Sequence, residues 1–173
     1  MRAHRHVQHA LCRELRKAGA EVDLERVVPE LSGRARPNAN SEPIAIVDLY
    51  VTVPGRPERF LVDVTVRSPH AARYVDAATR CGTAAAAGAK EKRDLYGPQV
   101  LPLPFESYGR LGEAGRETLS SLTAAVAGLR WANHSRLPHS WRACCERALT
   151  RATADVALLA LGSAAAAQAL DAI

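Results

Sequence analysis

Two aspartates inside apolar, strand-like segments are the residues of this chain best suited to chemistry. Asp48 lies in the run 44–51, IAIVDLYV, and Asp63 lies in the run 60–66, FLVDVTV. β-Branched and aromatic residues suit a half-buried strand, whereas an unpaired buried carboxylate is costly. Each aspartate therefore needs a partner, unless it sits at a frayed strand end in water. Two such acids in neighbouring strands, followed by a basic helix, favour a functional role.

A turn between the two strands would bring these carboxylates together. Residues 54–57, PGRP, are typical of a turn, so the strands are predicted to pair antiparallel. Adjacent strands lie about 5 Å apart, so two carboxylates on one face could bind one divalent cation. Oxygen ligands suit Mg²⁺ or Mn²⁺, which can activate a water for attack on a phosphodiester. Lys92, with Lys90 as the alternative, could orient that water or neutralise transition-state charge.

The elements that must position these residues follow from apolar periodicity and from the residues that break it. Apolar residues at helical spacing predict helices, and alternating or β-branched runs predict strands. Besides the two aspartate strands, the pattern predicts helices over 5–18, 70–96, 113–130 and 140–170, strands over 21–30 and 99–106, and a loop over 31–42.

The resulting order is α-β-β-β-α-β followed by further helices, which indicates an α/β or α+β fold in which helices flank a compact sheet. Prolines in the run 99–106 argue against a strand that is central along its whole length. Gly162 is the predicted weak point of the last helix. We expect residues 1–130 to form the core domain and residues 131–173 to form a helical extension packed on it.

The composition of the chain indicates its cellular compartment and the kind of partner that it suits. The 173-residue chain has a formal net charge of +5, which suits a polyanionic partner. Its four cysteines lack zinc-ligand spacing and are interpreted as reduced thiols, which predicts an intracellular protein, nuclear or cytoplasmic. No run resembles a signal peptide or a membrane span, so we expect no membrane association. Neither a G-x-S-x-G motif nor a phosphate-binding glycine loop is present.

Basic residues outside the aspartate strands allow two interpretations each. His4, His6 and His9 could bind a metal from one helix, but we interpret them as part of a solvated, basic N-terminus. Arg34 and Arg36 could contact a phosphate backbone or simply lie in a solvated loop, and the sequence does not favour either.

The two tryptophans also allow two interpretations. Trp131 and Trp141 flank a loop that contains His134, Arg136 and His139, so they could stack on nucleic-acid bases. Tryptophan at the start of a helix more often anchors that helix in a core. We therefore expect a structural role for both.

The order of elements and the positions of the two acids resemble the PD-(D/E)XK nuclease superfamily. Its restriction-endonuclease-like core is built as α-β-β-β-α-β, with signature acids on the second and third strands. Asp48 and Asp63 fall on those strands.

Within that superfamily, the chain resembles the restriction-like endonuclease domain of non-LTR retrotransposon proteins. Those domains have a V-D-V-x-V strand and then a K-x-x-x-Y pattern, similar to residues 62–66, VDVTV, and 92–96, KRDLY. Residues 103–112, LPFESYGRLG, are similar to a segment found downstream in retroelement-derived proteins. The likeness covers residues 5–130.

The resemblance implies a DNA endonuclease that depends on Mg²⁺ or Mn²⁺. Asp48 and Asp63 would bind the metal, and Lys92 would assist the attacking water. Tyr96 would support that lysine or contact a phosphate. The resemblance is compatible with a homodimer and with an origin in a larger retroelement polyprotein.

Some members of the family bring a further acid from the first strand or helix. Glu25 matches that position as a third metal ligand, and Glu14 on the first predicted helix competes for the role.

The chain departs from the family pattern at two positions. Thr65 stands where (D/E)-x-K has its lysine, but members are known in which the lysine has moved to the following helix, as Lys92 would have. Val47 replaces the proline before the first acid. These departures leave an alternative, a catalytically inactive relic or a nucleic-acid-binding or interaction module on the same fold.

Overall fold

Four strands and the helices around them build this protein. A computed structural model describes residues 2–32, 44–77, 82–127, 129 and 139–154. The architecture is α/β, a four-stranded mixed open sheet flanked by helices. Its elements are α1 (Arg2–Lys17), β1 (Glu21–Val27), α2 (Pro29–Ser32), β2 (Ile46–Thr52), β3 (Arg59–Arg67), a 3₁₀ helix (Ala72–Ala77), α3 (Thr83–Tyr96), β4 (Val100–Glu106), α4 (Glu113–Val126) and α5 (139–154).

The strands lie in the order β1-β2-β3-β4. The pairs β1–β2 and β2–β3 are antiparallel, and β4 joins β3 in parallel. The turn between β2 and β3 contains Gly55 with φ +80°, a conformation that glycine adopts without steric cost. The predicted antiparallel pairing of the two aspartate strands is confirmed.

β4 is an edge strand that contains two prolines without losing hydrogen bonds to β3. The Pro102 carbonyl accepts a 2.7 Å hydrogen bond from Thr118 Oγ1, and the Pro104 carbonyl accepts one of 2.9 Å from Gly112 N. Both carbonyls therefore point away from β3. Because the nitrogen and carbonyl of a strand residue point the same way, neither proline removes a donor from the ladder. The expectation that this segment is not a central strand is confirmed.

The main hydrophobic core joins the sheet to α1, α4 and α5. Trp141 is 1% exposed and lies in this core with Leu11 of α1 and Leu122 of α4. The interpretation of Trp141 as a core anchor is confirmed. A smaller cluster contains Tyr50 of β2 and Tyr96 of α3.

Several predicted boundaries were wrong. The strand predicted over 21–30 ends at Val27, because Pro29 begins the short helix α2. The helix predicted over 70–96 is instead a 3₁₀ helix and then α3, which begins after Gly82. Gly82 has φ +89°, outside the helical region, so α3 cannot extend back through it.

The helix predicted over 113–130 ends at Val126. Among the described residues, no helix has the length and apolarity needed to cross a membrane. Several residues singled out from the sequence lie outside the described ranges: Arg34, Arg36, Trp131, His134, Arg136 and Gly162.

Candidate active site

The carboxylates of Asp48 and Asp63 approach the same point at the end of the β2–β3 ladder. Leu49 pairs with Val62, and the two aspartates are the next residue on each strand. The Asp48 Oδ2 atom accepts a 2.6 Å hydrogen bond from Val64 N, so Asp48 reaches across to the strand that bears Asp63. The two predicted acids therefore lie together.

Asp63 is buried beside a single ammonium group. Its residue is 2% exposed, and its Oδ1 lies 2.8 Å from Lys92 Nζ. Among the described residues this ion pair is the only partner of Oδ1, and its alignment is too poor for a hydrogen bond. Burial, and next the charge of Asp48, raise the pKa of Asp63 to about 6, against the opposing effect of Lys92.

α3 carries Lys92 to this point because small residues let it approach the sheet closely. Ala85, Gly88 and Ala89 are all buried on its inner face. A Cβ at Gly88 would lie 2.8 Å from Thr65 Cγ2, so only glycine fits against that threonine. Thr65, at the position of the family's usual lysine, is therefore packed under α3, and Lys92 reaches Asp63 from the helix above.

Tyr96 lies one turn further along α3, beside the lysine. Lys92 Nζ is 5.6 Å from the centroid of the Tyr96 ring, a cation–π distance. Burial, followed by the charge of Asp63, raises the pKa of the Tyr96 hydroxyl. The predicted residue is thus near the lysine and within the electrostatic influence of the acid.

Asp48 has partners on α1 that the sequence analysis missed. His4 Nε2 lies 2.9 Å from Asp48 Oδ2, and Gln8 Nε2 donates a 2.8 Å hydrogen bond to the Asp48 carbonyl. The hydrogen bond to Asp48 raises the pKa of His4, against the opposing effect of burial.

The interpretation of His4 as part of a solvated N-terminus was wrong, although His6 and His9 are exposed. His4 and Gln8 are four residues apart, on the same face as Leu11, and that face packs against the sheet. The spacing of these two polar residues with the apolar stripe was the signal that could have revealed the contact.

Glu25 borders the site without joining the two aspartates. It occupies the register position opposite Asp48, but its φ of +51° interrupts the β1–β2 pairing there. Its side chain is 56% exposed, and its ion-pair partner is Arg5 at 3.9 Å. Glu14 contacts Lys17 at 2.9 Å instead. No group of three metal-ligating side chains is formed in the described part of the chain, so Glu25 as a third ligand stays a prediction.

A cleft of about 790 Å³ opens over the site. His4, Glu25, Thr65 and Lys92 are among the residues that line it. Asp48 is 15% exposed at its side chain, which leaves one of the two acids accessible to solvent.

The pair of aspartates fits a divalent cation. Asp63 has one ammonium group at close range, and its pKa is raised first by burial and next by the charge of Asp48. A cation bound by both carboxylates would remove their repulsion and give the poorly satisfied Oδ1 atom a partner. Their oxygen ligands are those that Mg²⁺ and Mn²⁺ prefer.

Comparison with known proteins adds no support to this interpretation, which therefore rests on the geometry of the site. No family model matches the chain, and neither a curated protein nor a solved structure matches it.

Proposed function

We propose that this protein is a DNA endonuclease that depends on Mg²⁺ or Mn²⁺. The observation that carries the proposal is the convergence of Asp48, Asp63 and Lys92 from three separate elements on one point, beside a cleft that Lys92 lines. A buried acid with a raised pKa beside a second acid and a lysine is typical of a functional site.

The order of the elements supports the same proposal. Apart from α2 and the 3₁₀ helix, the chain runs α1-β1-β2-β3-α3-β4, with its acids on the second and third strands. This order is the one that the resemblance to the PD-(D/E)XK superfamily implies. We therefore propose a restriction-endonuclease-like core of retroelement origin.

The proposed reaction is hydrolysis of a phosphodiester bond. A water attacks the phosphorus, and the bond from phosphorus to the leaving oxygen breaks. Asp48 and Asp63 would hold the cation, which when bound supplies Lewis-acid stabilisation and lowers the pKa of the water. The Lys92 ammonium would orient that water or balance charge that develops on the phosphate. The Tyr96 ring beside it restricts where the ammonium can move.

A plasmid-nicking assay tests the proposal. We expect the wild type to nick supercoiled DNA with Mg²⁺ or Mn²⁺ and to lose that activity in EDTA. Asp63→Asn should abolish nicking because it removes one of the two carboxylates. Asp23→Asn is the matched control, since Asp23 is 62% exposed and pairs with Arg26 on the surface.

Two results would contradict the proposal. One is nicking by Asp63→Asn at the wild-type rate. The other is a folded wild-type protein that never nicks DNA at any concentration of either metal.

A second candidate function is a nucleic-acid-binding or interaction module without activity. The specific observation in its favour is that each acid already faces a basic group of the chain, His4 at Asp48 and Lys92 at Asp63. Thr65 in place of the usual lysine agrees with it. This candidate predicts that divalent cations leave the melting temperature unchanged, whereas a cation site predicts a concentration-dependent rise.

A further inference from the structure

A second groove, between α1 and α5, is lined by basic side chains. It has a volume of about 440 Å³, and none of the described residues that line it is acidic. Two alanines lie among its walls. The basic residues that line it are Arg5, His6, His9, Arg13 and Arg151.

The arginines of this groove form long, exposed ion pairs with the acids of the protein, or none among the described residues. Arg5 lies 3.9 Å from Glu25 and Arg13 lies 3.7 Å from Glu14, with arginine side chains 67% and 63% exposed. Arg151 forms no ion pair with any residue that the structure describes. Exposed pairs of this kind contribute little free energy, so an anion can replace them at small cost.

The spacing of these residues on α1 matches a repeating anion. Arg5, His9 and Arg13 are four residues apart and therefore lie on one face of the helix. Arg5 and Arg13 are eight positions apart, which corresponds to about 12 Å along the helix axis. Phosphates of one DNA strand advance by about 3.4 Å per nucleotide along the duplex axis, so this face can meet roughly three of them.

The basic groove lies next to the cleft over the two acids. Arg5 lines both, and its neighbour His4 contacts Asp48. We propose that the groove between α1 and α5 binds the phosphate backbone of DNA and leads one strand past Arg5 toward Asp48 and Asp63. The choice of DNA rests on the proposed function, and the phosphate chemistry rests on the groove.

DNA binding without divalent metal tests the inference separately from cleavage. Affinity for a fluorescent DNA duplex is measured in EDTA by anisotropy over a series of KCl concentrations. The groove variant is Arg13→Gln/Arg151→Gln. The matched control is Arg93→Gln/Arg116→Gln, which removes two exposed arginines that pair with glutamates elsewhere on the surface.

We expect the groove variant to bind about tenfold more weakly at moderate salt, with a slope of log affinity against log salt reduced by about two. The control should stay within about twofold of the wild type, since its arginines contact no phosphate in the proposed arrangement. Thermal unfolding of both variants verifies that they are folded.

Three outcomes would overturn the inference. They are equal affinity of the groove variant and the control, absence of duplex binding by the wild type at low salt, and tighter groove-dependent binding of an RNA duplex than of the DNA. If the wild type nicks DNA but the groove variant binds DNA as tightly as the wild type, the DNA-binding role of the groove is wrong and the proposed function still holds. If the groove variant binds DNA more weakly but the wild type never nicks DNA, the groove proposal holds and the proposed endonuclease activity is wrong.

Discussion

The inward and outward faces of α3 each present a lysine paired with an aspartate, and the two pairs differ in burial rather than in distance. Lys90 lies 2.6 Å from Asp94, and Lys92 lies 2.8 Å from Asp63. The outward pair is 76% and 62% exposed, whereas the inward pair is 24% and 3% exposed. Water screens the outward pair, so it contributes at most about 1 kcal/mol to stability. The inward acid lacks that screening and has its pKa raised to about 6.

The comparison of the two faces shows that a short distance within an ion pair does not by itself indicate a functional site. On the outward face the pair is a local contact between residues one helical turn apart. On the inward face the lysine meets an acid of another element, next to a second acid and under a cleft. Lys92 therefore borders a cleft that a ligand can enter, whereas Lys90 makes a contact within its own helix.

The largest expected effect is on the rate of nicking when the inward lysine, rather than the outward one, is replaced. Lys92→Met should lower the rate of Mg²⁺-dependent nicking by about a hundredfold or more, because it removes a preorganised charge beside the acids. Lys90→Met should leave the rate unchanged, since its ammonium faces solvent. The measurement is the initial rate of plasmid nicking at saturating metal. Equal losses in both variants would show that the two faces do not differ in function.

Neutralising the inward acid should separate activity from stability. Asp63→Asn should abolish the rise in melting temperature caused by Mg²⁺, because a carboxylate of the cation site is gone. In EDTA at neutral pH the same variant should be more stable than the wild type, by on the order of 3 kcal/mol, because it mimics the neutral form that burial favours. Denaturant unfolding measures this difference, and Asp94→Asn on the outward face is the control.

The pH dependence of that difference follows from the direction of the pKa shift. The pKa of Asp63 is raised from 3.8 to about 6, so the folded protein holds the proton more tightly than the unfolded chain does. Its ionisation therefore lowers the free energy of unfolding as the pH rises from about 4 to about 6, with no further change above that range. The stability advantage of Asp63→Asn in EDTA should grow over the same range. A constant advantage from pH 4 to pH 7 would contradict the assigned shift.

The smallest expected effect concerns the close contact that brings the inward face onto the sheet. Gly88→Ala would normally stabilise a helix by about 1 kcal/mol. Its Cβ would lie 2.8 Å from Thr65 Cγ2, so we expect a net loss of about 1–2 kcal/mol instead. The double variant Thr65→Ala/Gly88→Ala should recover part of the loss, because it removes the clashing methyl group. Denaturant unfolding of the four proteins in this cycle gives the coupling between the positions.

Much of the fold could be predicted because its signals are local. Alternating apolar residues, the turn near Gly55 and the prolines of β4 predicted two antiparallel strands and one non-central strand, and the structure has them. The boundaries that failed were also set by single residues, Pro29 after the strand predicted over 21–30 and Gly82 before α3. The pattern before Thr83 is helical in composition, but the backbone at Gly82 is not.

The candidate site could be predicted only in part. Asp48 and Asp63 were recognisable because carboxylates in apolar strands require partners, and Lys92 was singled out near the end of the following helix. The structure brings the three together. His4 was missed because its spacing with Gln8 and Leu11 indicates only that it faces the core, whereas its partner Asp48 lies 44 residues away. Glu25 was singled out from its strand, yet the reversal of its φ leaves its side chain exposed beside Arg5.

The sequence by itself determined which elements form and which side chains are costly to bury, because periodicity and polarity act over a few neighbouring residues. Only the tertiary structure decided that α3 turns Lys92 inward onto Asp63 and that α1 turns His4 onto Asp48. The contact of Lys92 depends on how closely α3 can approach the sheet, which rests on Gly88 above Thr65. Packing of that kind is a property of two elements together, so neither segment encodes it alone.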